Sequence, residues 1–256
     1  MPLFIFALIV WVATSTTSGL AEADTNNPSD WGYSGASAPA HWGKLSSRFN
    51  ACANGTMQSP IDINDSQTIE AKLPVLKTSY SALPLSVVNN GHSIQVLGAP
   101  ADNLIVDGHT AELVQLHFHT PSENYINGKA YPLELHLVHK RGDGALAVIA
   151  VMFEVGKHND VLENIVDNIP STVGRVVTKS DITLDLEKLV PTNQTYYRFM
   201  GSLTTPPCTE GVNWYVVEKP QQASLRQIKA FAKLFPAGDA RPVQAINNRL
   251  IVRGTD

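Results

Sequence analysis

Short apolar or alternating runs, each closed by Gly, Pro or Asn, set the strongest limit on what this chain can become. "LSVVNNGHSIQVL" places Leu85, Val87, Ile94 and Val96 around an Asn90-Gly91 turn signal. "NLIVDGHTAELVQLHFHT" reads as strand, Asp107-Gly108 turn, strand. "PLELHLVHK" and "ALAVIAVMFEV" are two further strands joined by the tight Arg141–Gly144 link. "YYRFMGSL" and "VNWYVVEK" flank the Pro206-Pro207 loop. Only two segments carry a helical stripe. Asn159–Ile169 aligns Val161, Leu162, Ile165, Val166 and Ile169 and stops before Pro170. Ser224–Phe235 opens with a Ser224-x-x-Gln227 capping pattern. The expectation is a mainly β (α+β) fold: one domain on a large, twisted, mostly antiparallel sheet with a few short helices.

Composition narrows the partners. With 19 basic and 23 acidic residues in 256, the net charge is −4, too mild to point to nucleic acid or an acidic membrane surface. Pro2–Ala13 is an unbroken apolar run of 12 residues, whereas a spanning helix needs roughly 18. Ala21-Glu22-Ala23 follows in the A-x-A form of a cleavage site. This favours an exported chain with a signal peptide at 1–23, a mature domain at 24–256 and no membrane anchor after cleavage. The alternative is a buried N-terminal helix, since no Lys or Arg precedes the run. Cys52 and Cys208 are the only cysteines. An even count in an oxidising compartment favours a disulfide, with two unrelated buried thiols as the other reading.

The chemistry concentrates in "VQLHFHT". In a strand, Gln115, His117 and His119 share one face, and Leu116 and Phe118 the other. The next strand offers Glu134 and His136 at the same spacing. If the two strands are neighbours, His117, His119 and His136 converge. Three neutral imidazoles suit Zn2+ and leave a fourth position for water, which is the catalytic rather than the structural type of site. Gln115 and Glu134 then stand where an imidazole N–H needs an anchor. His139 falls on the opposite face of its strand, as a buried structural histidine. His41, His109 and His158 lie in loop or turn contexts facing solvent.

Five ordered motifs, "QLHFHTPSEN", "ELHLVH", "NNGHS", "QSPIDI" and "SLTTPPCTEGVNW", resemble the α-class carbonic anhydrases, above all their exported bacterial members. The likeness runs from Trp31-Gly32-Tyr33 to Arg241-Pro242. It implies a zinc lyase interconverting CO2 and bicarbonate, in which zinc-bound hydroxide attacks CO2. His117, His119 and His136 match the zinc ligands, with Gln115 and Glu134 behind them. Thr204 matches the residue that accepts a hydrogen bond from the hydroxide and donates its own to Glu123. Val138, Val148, Leu203, Thr205, Val212 and Trp214 match the substrate pocket. His92 matches the proton shuttle, with Tyr33, Asn90 and Gln95 along the water chain. Asn124 and Gln95 stand where other members carry different polar residues. Ser59-Pro60 and Pro206-Pro207 match cis bonds. The resemblance further implies a periplasmic or secreted protein, monomer or homodimer. A non-catalytic carbonic-anhydrase-like binding module is the rival reading; such modules lose ligands, and this chain keeps all three histidines.

Overall fold

A computed structural model describes residues 31–99, 102–191 and 195–255. The apolar run 2–13 and the cleavage-like Ala21–Ala23 lie outside them. Ten strands form the main path of one large mixed sheet. These are β1 (Ile69–Ala71), β2 (Ala82–Asn89), β3 (Ile94–Leu97), β4 (His109–His119) and β5 (Leu133–Arg141), followed by β6 (Leu146–Val155), β7 (Val176–Asp185), β8 (Tyr196–Ser202), β9 (Glu210–Val217) and β10 (Val252–Gly254). Their spatial order is β7-β2-β3-β4-β5-β6-β9-β8-β10-β1. Neighbours joined by short turns pair antiparallel, as expected. Parallel pairs occur where strands distant in sequence meet: β6 with β9, and β10 with β1.

The centre of the sheet is buried on both sides. In β5, Leu133, Leu135 and Leu137 face one way, while Glu134, His136 and Val138 face the other, all buried. The first face carries the larger apolar core, where Leu116, Phe118, Ile149, Val151 and Phe153 meet α1 (Asp160–Val166) and α2 (Leu225–Ala232). Phe118 and Phe231 rings lie 4.6 Å apart there. Both helices start where the sequence predicts. Asn159 accepts from the N–H groups of Val161 and Leu162, and Ser224 forms the capping box with Gln227. The second face carries a smaller cluster around Ile61, Ile63, Val148, Met152, Val212 and Trp214.

One irregularity decides which face receives the histidines. Leu113 pairs with His139 and Gln115 with Val138, so Val114 is an extra residue, half-exposed, in β4. Before this bulge, Ala111 and Leu113 point into the core; after it, Leu116 and Phe118 do. The inserted residue switches the alternation by one. Without it, His117 and His119 would share the face of Leu113.

The chain before β1 forms short helical turns, including Trp42–Leu45 and Ala51–Asn54. None is long enough to carry a periodic stripe. Cys52 and Cys208 are bonded across 156 residues, tying the Ala51–Asn54 turn to the loop between β8 and β9. Ser59-Pro60 and Pro206-Pro207 are cis, as is Thr120-Pro121. His139 is buried on the helix-covered face and bonds to the Tyr80 hydroxyl at 2.9 Å. Burial pushes its pKa down to about 4. His41, His109 and His158 are exposed.

Candidate metal centre

β4 and β5 are adjacent and antiparallel, and their register sets His117 directly opposite His136. His119 lies two residues along on the same face. Their ligand atoms fall within 4.8 Å of one another. His119 and His136 are almost fully buried, and His117 lies at the edge of a cavity.

Each imidazole has an acceptor on its outer side. His117 Nδ1 lies 2.8 Å from Gln115 Oε1, and His119 Nδ1 lies 2.7 Å from the carbonyl of Asp239. His136 Nε2 lies 3.0 Å from Glu134 Oε1. The acceptors hydrogen-bonded to His117 and His119 assign the proton to the outer nitrogen of those two rings, and the Glu134 carboxylate beside His136 favours the same form of the third. The inner nitrogens of His117, His119 and His136 are then unprotonated and close enough together to share one ion. Burial holds His117 and His136 well below the usual histidine pKa, reinforced by the neighbouring rings. His119 Nε2 is buried with no hydrogen-bond partner among the described residues, and so is His136 Nε2, which has Glu134 Oε1 at ion-pair distance only. A divalent cation taking imidazole nitrogen satisfies this donor set; the three residues fit one.

A carboxylate and a hydroxyl border the centre. Glu123 is fully buried, with Oε2 3.3 Å from His119 Nε2 and 3.9 Å from His136 Nδ1. Its Oε1 accepts the backbone N–H of Arg241 at 2.9 Å, and the Thr204 hydroxyl is near enough to the same carboxylate to draw its pKa down. Burial pushes the Glu123 carboxyl well above the usual carboxylate range, and these two donors offset that only in part. Val138, Val148, Val212 and Trp214 are buried in one apolar cluster, against which Leu203 packs. The Trp214 ring meets His136 edge to face at 4.9 Å. The cluster thus lies directly beside His136.

On the solvent side, a cavity of about 120 Å³ is lined by Trp31, Tyr33, Asn90, His92, Ser93, Gln95, Gln115, His117, His119 and Thr205. It brings His92 and the other polar residues singled out in the sequence to one opening on the histidines. His92 is one of the lining residues and stacks on Trp31 with ring centres 3.8 Å apart. The cavity has room for several waters.

Comparison with known proteins agrees with this geometry. Residues 37–255 match the model of the eukaryotic-type carbonic anhydrase family. A carbonic anhydrase of Pectobacterium carotovorum is 45% identical over 224 residues, 87% of this chain and 90% of its own. The structure of α-carbonic anhydrase from Thermovibrio ammonificans, in complex with sulfanilamide, superposes with a TM-score of 0.84 at 43% identity, covering 87% of this chain and 98% of that one. The α-carbonic anhydrase of Photobacterium profundum matches at 46% identity, a TM-score of 0.81 and coverage of 87% and 100%. The chain belongs to the α-class carbonic anhydrase family. Its members are lyases that hydrate CO2, and the chain is an enzyme of that kind.

Several residues of this carbonic anhydrase site lack a readable sequence signal. Asp239 contributes a backbone carbonyl to His119, and its side chain accepts the N–H of Thr120 at 2.6 Å. Arg241 presents a backbone N–H to Glu123. Its guanidinium is anchored on Gln58, on the Ser59 carbonyl and on the Cys52 carbonyl. Backbone donors and acceptors leave no trace in residue type. Trp31 was legible only as part of the family-like opening motif, not as the partner of His92.

Proposed function

We propose that this carbonic anhydrase hydrates CO2 reversibly with Zn2+ held by His117, His119 and His136, and exports its product proton through His92. The convergence of three imidazoles, two anchored by hydrogen bonds at Nδ1 and the third set beside the Glu134 carboxylate, carries the reading. Bound Zn2+ supplies hydroxide near neutral pH by lowering the pKa of water to about 7, a value established for carbonic anhydrases themselves and not read from this chain.

The protein orients and isolates that nucleophile. Thr204 donates its hydroxyl proton to Glu123, so its oxygen is left only to accept at the site. A hydroxyl group satisfies it there; a group with no proton does not. Positive charge at the centre favours the ionised Glu123 that this chain of donors requires. CO2 is apolar, and Val138, Val148, Leu203, Val212 and Trp214 offer it a wall without competing hydrogen bonds. Thr205 borders the cavity that reaches His117 and His119 from the solvent side.

Every turnover releases a proton. His92 suits its transfer because an unperturbed imidazole titrates near pH 6.5, and it lines the cavity together with Tyr33, Asn90 and Gln95. We further read the chain as exported, with a mature domain from residue 24 that acts in a periplasm or outside the cell. Purified protein should carry about one zinc per chain. His92→Ala should slow CO2 hydration about tenfold or more in dilute buffer, with recovery on adding imidazole. A variant that imidazole never rescues removes the shuttle role, and a zinc-free parent with full activity removes the mechanism.

A further inference from the structure

Asn124 lies next to Glu123 in the chain and is fully buried. Its side-chain oxygen accepts the backbone N–H of Ile61 at 3.1 Å. That bond settles the orientation of the amide, leaving Nδ2 to donate to Glu134 Oε1 at 2.8 Å. The backbone N–H groups of Glu123 and Asn124 donate to Glu134 Oε2 at 2.6 and 2.9 Å. Glu134 is therefore held at both oxygens, and Oε1, the one that Asn124 fixes, is also the one beside His136 Nε2. The anchor is itself stiff. Ile61 leads into Asp62–Ile63, which pairs in parallel with Tyr125–Ile126, just after Asn124.

We propose that Asn124 is a positioning residue of the metal centre: through Glu134 it fixes the heading and tautomer of His136. The inference rests on the zinc reading of the site. A glutamate's terminal torsion is broad and roughly two-fold, so a carboxylate with one donor can swing. Three N–H groups remove that freedom. The amide adds a donor that persists at every pH and carries no charge to repel the carboxylate. An aspartate of nearly the same shape keeps the acceptor for Ile61 and, once ionised, has no donor for Glu134 and repels it.

The test is zinc release from loaded protein to a chromogenic chelator. Asn124→Asp should accelerate release by ~10- to 100-fold, the range seen when a metal ligand loses its outer partner. In a Glu134→Ala background the same substitution should change release by less than about threefold, because the coupling runs through Glu134. Release within about threefold of the parent, or equal acceleration in both backgrounds, overturns the proposal. Should Asn124→Asp not fold, Asn124→His decides, since a neutral imidazole offers one acceptor and one N–H. Release near the parent's rate supports the proposal, and release more than about tenfold faster overturns it. A parent that takes up no zinc defeats the zinc reading instead.

Discussion

Leu135 and its two neighbours, Glu134 and His136, stand side by side on β5, yet they belong to different kinds of interior. On Leu135's side, the strands and two helices bury an almost wholly apolar core. On the other side the same strands present histidines, a glutamate and a glutamine, each tied to a specific partner. Both faces are largely buried, the polar one opening on a small cavity, but they tolerate error differently. An apolar face asks for volume and hydrophobicity. A buried polar face needs every donor and acceptor matched, because one orphaned group is costly. The first face should therefore govern stability and the second activity.

Substitutions on the two faces should separate those quantities. His117→Ala should lower CO2 hydration by at least ~1000-fold and abolish stoichiometric zinc, while the metal-free protein still unfolds cooperatively. Leu135→Ala should show the reverse. It should lose about 2–5 kcal/mol in urea unfolding, with near-parental activity in the molecules that remain folded. If His117→Ala destabilises the metal-free protein as much as Leu135→Ala does, the division between the faces fails.

His139 is the exception that sharpens the comparison, a histidine on the apolar face. Its folded pKa, about 4, lies below the unfolded value near 6.5. The unfolded state therefore binds more protons between those values. The contribution of His139 to stability is complete above pH 6.5 and is lost as pH falls towards 4. The loss amounts to about 3 kcal/mol at most. His139→Gln lacks this term, so the gap between parent and variant in urea unfolding of metal-free protein should shrink across that window. A gap that stays constant with pH contradicts it.

The same contrast explains what was legible beforehand. Alternation revealed β2 to β6, β8 and β9, because each buries a regular set of apolar residues. It revealed His117, His119 and His136 because the period of a strand fixes i and i+2. β7 went unread: most of Val176–Asp185 is exposed at the sheet edge, so no apolar face repeats along it. The bulge at Val114 was also hidden, since pairing with β5, not composition, defines it. Asp239 and Arg241 act on the site through backbone atoms more than a hundred residues away in sequence, where residue type says little.

The central claim is that three imidazoles on the polar face hold zinc and thereby produce the activity. Its most direct test is CO2 hydration by one preparation, measured as purified, after removal of metal with a chelator, and after stepwise return of Zn2+. The account predicts loss of activity in the stripped protein and full recovery at about one Zn2+ per chain, with no recovery in His117→Ala. Unchanged activity in protein shown to be metal-free would contradict it.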